Sequence, residues 1–210
     1  DSIEQQFDWA RNMNEVPQDK LYHAEGNVAV HTWKVIEELQ QLPAYSDLGG
    51  QDKEILWTAA LLHDVEKRSA TVVESDGRIT ARGHARKGEY TVRTLLYRDL
   101  PTPFAIREKI ASLVRFHGLP LWLMEKTDPV RKIAEVAFRL DTSQLRMLAE
   151  ADIRGRICQD REELLESLDL FELFCREQGC WKKSREFTTD HARFRYFHTA
   201  ESYIDYIPYE

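Results

Sequence analysis

Ala59 to Lys67 read AALLHDVEK, and this stretch decides the fold. Just upstream, Ile55, Ala59 and Leu62 share one face at helical spacing. The next position on that face after Ala59 is His63, so residues 52–65 are expected to form a helix that carries an imidazole inward at its end. Working outward, the same period returns in the neighbouring segments. Residues 26–42 set Val28, Val35, Ile36, Leu39 and Leu42 on a stripe that includes His31, and Pro43 with Gly49-Gly50 ends the element. After Gly83, residues 84–98 keep His84, Gly88, Val92 and Leu95 in register until Pro101 and Pro103 break the helix. Residues 104–117 align Ile106, Ile110, Leu113 and Val114 with His117, before Gly118 and Pro120. Residues 129–140 carry Val130, Ile133, Ala137 and Leu140, and residues 143–157 carry Leu145, Leu148 and, at the same spacing, Asp152. A helix over 160–178, stopped by Gly179, has a leucine and phenylalanine face that core packing explains.

One segment alternates instead. Residues 71–82, TVVESDGRITAR, place two β-branched runs around Asp76-Gly77 and predict a small exposed hairpin. From Trp181 to Glu210 there are eight aromatics, with five Lys or Arg between 182 and 195, and no sustained period. The expectation is an all-α helical bundle over residues 1–180 with a small β-hairpin. An irregular aromatic and basic tail over 181–210 is either docked on the bundle or leads to a further domain.

Composition narrows the function classes. The 210 residues are 42% hydrophobic and 31% charged, with 9 Gly, 7 Pro and 3 Cys, which excludes a disordered chain and a disulfide scaffold. A chain of this size buries roughly 70% of its unfolded surface without staples. Lys plus Arg number 29 against 36 Asp plus Glu, a net charge of −7, so any site for a polyanion must be local. Apolar runs are far shorter than the ~20 residues that span a bilayer, and no signal peptide is visible. A cytoplasmic protein without membrane contact is expected, with Cys158, Cys175 and Cys180 as free thiols.

Each of five helices thus turns a histidine, an aspartate or the His63-Asp64 pair inward: His31, His63, Asp64, His84, His117 and Asp152. One such residue alone is ordinarily a satisfied core group. All of them together would cost roughly 1–3 kcal/mol apiece if left uncompensated. Convergence on metal ions removes that cost, and imidazole with carboxylate suits Mn, Ni, Co, Fe or Zn.

The order His, His-Asp, His, His, Asp across consecutive helices resembles the HD-domain phosphohydrolase superfamily. The motifs are VAVHTWKV around His31, AALLHDVEK, GHARKGE around His84, LVRFHGLP around His117 and LAEADIRGR around Asp152, and the resemblance covers roughly residues 20–160. HAEGNVAVHT and EADIRGR resemble more particularly the HD module of bacterial tRNA nucleotidyltransferases, which acts on 2′,3′-cyclic and 2′-phosphates. The nucleotidyltransferase head of that family, with its Gly-Ser and paired aspartates, is absent. An HD module followed by an aromatic and basic tail is also similar to the N-terminal part of bacterial end-healing enzymes that join an HD phosphoesterase to a polynucleotide kinase. The chain has no G-x-x-x-x-G-K-[ST] loop, and its first residue, Asp1, fits a piece of a longer protein with a C-terminal kinase domain beyond it.

The resemblance implies two divalent metals. His31, His63, Asp64 and Asp152 would form one site, and His84, His117 and a bridging Asp64 the other. Asp141, in FRLDTSQ, is a second candidate for the last acid, against its plain reading as a helix N-cap. Paired metals ~3.5–4 Å apart lower the pKa of a bound water and clamp the attacking and departing oxygens at phosphorus. Asp64, Lys67 and His23 are the catalytic candidates, Lys67 as the family's phosphate-binding lysine and His23, near Glu25, as a proton donor to the leaving group. Arg154 and Arg156 flank Gly155 and suit bidentate phosphate contact, with Arg86 and Lys87 as further contacts; the alternative for each is a solvated surface charge. The tail segment WKKSREFTTDHARFRYF has the cations and aromatics that single-strand binding uses, and equally those of a tail packed on its own domain; His191 and His198 have no catalytic part. The expected activity is removal of 2′,3′-cyclic phosphate or 2′-phosphate from RNA or DNA 3′ ends. A phosphatase or cyclic phosphodiesterase on small nucleotides, a di-iron oxygenase with the same ligands, and a ligand-binding module without turnover are the alternatives.

Overall fold

Helices form where the apolar stripes lie, and histidines stand at several of their ends. The computed structural model of the chain describes residues 2–198. Two short helices, α1 (Ile3–Gln6) and α2 (Asp8–Asn12), lead into a 3-10 turn at Met13–Glu15. Then come α3 (Val28–Gln41), α4 (Pro43–Ser46), α5 (Gly50–Leu62) and α6 (Lys67–Ala70). After the strands β1 (Val72–Val73) and β2 (Ile79–Thr80) follow α7 (His84–Arg98), α8 (Phe104–Phe116) and α9 (Leu119–Trp122). The last helices are α10 (Pro129–Arg139), α11 (Thr142–Gly155), α12 (Arg161–Glu177) and α13 (Asp190–His198). The bundle is all-α with one small antiparallel sheet, in which Val72 pairs with Thr80 and Val73 with Ile79. No helix among the described residues is long and apolar enough to cross a membrane.

The core sits where α3 packs on α5 and α11 while α8 packs on α5 and α7. Val35, Leu39, Leu56, Leu113, Leu145 and Leu148 are completely buried there. Side-chain caps start two of the ligand-bearing helices, α3 and α11: Asn27 accepts from the Val30 N–H at 2.9 Å, and Asp141 accepts from the Ser143 N–H at 2.8 Å. Two glycines set the closest approaches. A Cβ on Gly155 would lie 2.9 Å from Val35 Cγ2 and 3.0 Å from the Val35 backbone nitrogen, so α11 can close on α3 only without a side chain at this point. A Cβ on Gly88 would lie 3.0 Å from Val114 Cγ1, at the contact of α7 with α8.

The same two helices are bolted by a buried acid. Glu89 accepts from Arg93 on α7 at 2.9 Å and from Arg139 on α10 at 2.6 Å, and lies 3.3 Å from Arg115 of α8. Burial opposes its charge, but Arg139 and Arg93 outweigh that penalty and hold the carboxyl below its usual 4.5.

Three segments differ from the reading of the sequence. The first is the N-terminal segment, where Trp9, Ala10, Met13 and Val16 are buried against the core, although no period was read there. The hairpin is exposed at its turn and along β1, where Val72 and Val73 are 55% and 63% exposed. Its second strand is half-buried and anchored by the Ile79 N–H, which donates to Asp19 at 3.0 Å. In the tail, the described part docks: α13 forms where no period was evident, with Tyr196 in the core and Phe187 and Phe197 packed against it. Its cations lie over the chain's own rings, Arg185 5.7 Å from Tyr196 and Arg193 5.2 Å from Phe138, and Arg131 donates to the Phe197 carbonyl at 2.8 Å. The rest of the tail, 199–210, and any kinase domain beyond it lie outside the described residues. Cys158, Cys175 and Cys180 are free thiols, as expected.

Gly155→Ala is expected to lower stability by roughly 1–3 kcal/mol through overpacking against Val35, read as a shifted urea midpoint at unchanged m-value. Glu89→Gln should cost roughly 2 kcal/mol at neutral pH. The stabilisation belongs to the ionised carboxylate, so it is complete above the unfolded pKa near 4.5 and is lost as pH falls through the lowered folded value. The gap in Tm between wild type and variant must therefore close in acid; a gap constant down to the acid limit would remove the ion-pair account.

Candidate metal centre

Helix ends aim the imidazoles. His63 is the C-cap of α5 and His117 the C-cap of α8, where the last carbonyls have no partner within the helix. His63 Nδ1 donates to the Ala60 carbonyl at 2.7 Å, and His117 Nδ1 donates to the Val114 carbonyl at 2.8 Å. His84, the first residue of α7 behind Gly83 at φ +80°, donates through Nδ1 to the Ala81 carbonyl at 2.7 Å. With Nδ1 carrying the proton, each ring offers the Nε2 lone pair to the interior.

Those lone pairs meet around Asp64, which is 2% exposed. Asp64 Oδ2 lies 3.2 Å from His63 Nε2 and 3.9 Å from His31 Nε2, while Oδ1 lies 3.2 Å from His84 Nε2 and 3.9 Å from His117 Nε2. The Nε2 atoms of His84 and His117 are 3.4 Å apart. Asp152 adds a carboxylate oxygen 3.0 Å from His31 Nε2. On the far edge of the His31 ring, Glu25 lies 2.8 Å from both His31 Nδ1 and His23 Nδ1. His31, His63 and Asp64 form one group, and Asp64, His84 and His117 a second, each with ligand atoms within 4.8 Å of one another. Asp64 belongs to both.

Acceptors facing acceptors in a buried site require a cation between them. His63 Nε2 and Asp64 Oδ1 are buried without a hydrogen-bond partner, which is the condition a metal ion relieves. Burial opposes the charge on Asp64, yet His63 and Lys67 outweigh it and hold the carboxyl well below the usual range. Asp152 behaves likewise, with Arg156 as the main offset to burial. Burial, together with His63 and His84, lowers His117 to about 3, leaving it a neutral ligand. At His63 burial works downward, but the Asp64 charge wins and raises the imidazole. The residues present fit divalent ions.

The HD-domain family matches residues 28–152, which run from the start of α3 to Asp152. The chain belongs to the HD-domain family. None of the curated proteins compared with the chain matches it. HD domains are metal-dependent hydrolases, and in this one the His and Asp groups can hold metal.

A cavity of about 550 Å³ opens over the HD centre, with His84, His23, Lys67 and Arg156 in its wall. Lys67 donates to Asp64 at 2.8 Å and to Gln18 at 2.6 Å. Arg156 makes a two-armed contact with Asp152, at 3.2 and 2.5 Å. These cations each hold one acid of the centre and face the cavity as well.

Other candidates fall elsewhere. Arg154 points to the surface, 42% exposed, and pairs with Glu150 at 2.8 Å. Arg86 and Lys87 are exposed and line no part of this cavity; Lys87 donates to the Ser69 carbonyl at 3.2 Å. Asp141 is the N-cap of α11, bonded to Ser143, so geometry brings Asp152 and not Asp141 to the centre. His23 lines the cavity as expected, but burial lowers it to about 4 against the pull of Glu25. That shift favours the neutral imidazole, whose Nδ1 lies 2.8 Å from Glu25. Gln18, Arg82 and Trp122 also line the cavity and had drawn no attention in the sequence, since each arrives from a loop or short turn with no period to place it. Glu66 braces the turn after the HD pair, accepting from Thr91 at 2.9 Å and from Arg68 at 2.8 Å, with Ser69 as a third donor.

Elemental analysis should find Asp152→Ala and Asp64→Ala with markedly less divalent metal per chain than wild type. Asp141→Ala should retain the wild-type metal content while losing about 1 kcal/mol of stability from the missing cap. Equal metal loss in Asp141→Ala and Asp152→Ala would contradict this placement of the ligands.

Proposed function

We propose that this HD domain is a phosphoesterase that removes 2′,3′-cyclic phosphate or 2′-phosphate from RNA 3′ ends. The carrying observation is the shared carboxylate of Asp64 between two histidine groups, placed directly beneath a cavity that Lys67 and Arg156 line. In this reading His31, His63, Asp64 and Asp152 hold one divalent ion, and His84, His117 and Asp64 hold the other. Bound there, such ions supply Lewis-acid activation of water and neutralise charge on the phosphoryl oxygens.

The chain's own residues supply the rest. Lys67 and Arg156 stand where the non-bridging oxygens of the phosphate would enter, already oriented by their buried acids, so little side-chain freedom is lost when substrate binds. Glu25 fixes His23 through Nδ1 and leaves its Nε2 to accept a hydrogen bond from a ribose hydroxyl or to take a proton. Arg82 gives the cavity further positive charge. No nucleophilic serine or cysteine is needed. The resemblance of HAEGNVAVHT and EADIRGR to the HD module of tRNA nucleotidyltransferases supports the choice of 2′,3′-cyclic and 2′-phosphates, and the likeness to end-healing enzymes supports a cytoplasmic role beside a polynucleotide kinase domain.

Wild-type protein supplied with Mn or Ni is expected to release phosphate from an oligonucleotide ending in 2′,3′-cyclic phosphate, and His63→Ala to lose at least about a thousand-fold of that rate. Circular dichroism of the variant should stay helical. Turnover confined to free nucleotides, or appearing only with iron and O₂, would overturn the substrate assignment.

A further inference from the structure

A second cavity, of about 580 Å³, adjoins the first and shares the His84 ring and the Trp122 indole with it. His117 also reaches its wall, so the space borders the second histidine group. Its other charged residues are Arg115, Lys126, Lys132 and Asp128. The acid is already committed, since Asp128 caps α10 by accepting from the Arg131 N–H at 2.9 Å. Among the described residues Lys126 has no ion-pair partner. Lys132 pairs only with the half-exposed Glu135, at 2.9 Å, and its ammonium lies 5.0 Å from the centre of the Phe116 ring. Arg115 lies 5.5 Å from the same ring and 3.3 Å from the Glu89 carboxylate, so Lys126 and Lys132 are the less committed cations of the three. On a chain whose net charge is −7, this is a local concentration of cations beside the metal centre. At the seam between the cavities stands Trp122, 49% exposed, an indole face held in water.

Cations lining a groove, with an exposed aromatic beside them, is the pattern that holds a single strand: phosphates on the basic groups, a base on the ring. A mononucleotide bound over Asp64 would leave this second space unused. We propose that the cavity of Arg115, Lys126 and Lys132 is a subsite for the nucleotides 5′ to the processed end, with Trp122 stacking the base between the two cavities. The substrate is then a single-stranded polynucleotide and not a free nucleotide. The subsite rests on the phosphoesterase reading for the identity of the end that lies over Asp64.

Binding tests it without turnover. A 5′-fluorescein hexanucleotide with a 3′-phosphate, as RNA and as DNA, is titrated with the full chain in EDTA and followed by anisotropy, with 2′,3′-cyclic AMP as the competing short probe. The hexanucleotide should bind at least about ten-fold more tightly than the mononucleotide. Lys126→Glu/Lys132→Glu should remove about ten-fold of the hexanucleotide affinity and reduce the salt slope by about 1.4, two phosphate contacts on a single strand. The mononucleotide affinity should move by less than about two-fold, which also shows that the variant is folded. Trp122→Ala should weaken the hexanucleotide without changing the salt slope. Equal affinities for both probes, or a double variant that weakens both alike or neither, overturns the subsite. Length- and lysine-dependent binding by a protein that releases no phosphate from any end overturns the phosphoesterase reading and supports the subsite. Phosphate release with hexanucleotide affinity indifferent to the lysines overturns the subsite alone.

Discussion

The constraint on which the structure depends is the burial of the Asp64 carboxylate. Taking a carboxylate out of water costs several kcal/mol unless cations and donors replace the solvent on every side. Lys67 of α6 supplies one such cation, while His63 at the end of α5, His84 of α7 and, at longer range, His31 of α3 and His117 of α8 surround the carboxylate as ligands, so that metal ions held between them would supply the remaining positive charge. Helix ends rather than helix middles carry three of these imidazoles, for a physical reason. At His63 and His117 the C-terminal turn leaves a carbonyl free to take the Nδ1 proton, at His84 the Ala81 carbonyl just ahead of α7 takes it, and in each case the opposite nitrogen is turned inward.

Close helix contact then becomes a condition of the site. Asp152 reaches His31 because Gly155 lets α11 close on α3, and His84 meets His117 because Gly88 lets α7 close on α8. Glu89, one residue after Gly88, adds the arginines of α7, α8 and α10 to the same junction. Packing and metal-ligand geometry are therefore one problem solved at the same points, and a change at either glycine acts on both.

Much of this was legible in the sequence, because it rests on local periodicity. An apolar stripe with a histidine on it declares both the helix and the direction of the imidazole, and this holds for His31, His63, His84 and His117. The two arginines, treated alike in the sequence reading, are separated by a spacing visible only once their partners are known: Arg156 lies four residues after Asp152 and shares its face, whereas Arg154 lies four after Glu150 and pairs with it at the surface. Groups delivered by loops were opaque. Gln18 reaches Lys67 across 49 residues and Trp122 reaches the cavity from a one-turn helix, so neither leaves a periodic trace. Helix α13 escapes for a related reason: its aromatics and arginines alternate without a clean stripe, and its Arg193 lies over the Phe138 ring of the same domain.

Charge shows the same division between what the whole chain states and what the site does. A net −7 repels a polyanion at long range, but that repulsion is screened over about 10 Å at 0.1 M salt. Inside the two cavities the local balance reverses, with Lys67, Arg82 and Arg156 against Asp19 and Asp160 in one, and Arg115, Lys126 and Lys132 against Asp128 in the other. Such an arrangement favours a ligand that presents its charges one after another along a chain. A compact dianion would satisfy one cavity and face the acidic surface with nothing to hold it further. A strand would be held at both, with His84 and Trp122 between them. Selection would then come from the spacing of the cations around the buried carboxylate, and not from the overall charge of the protein.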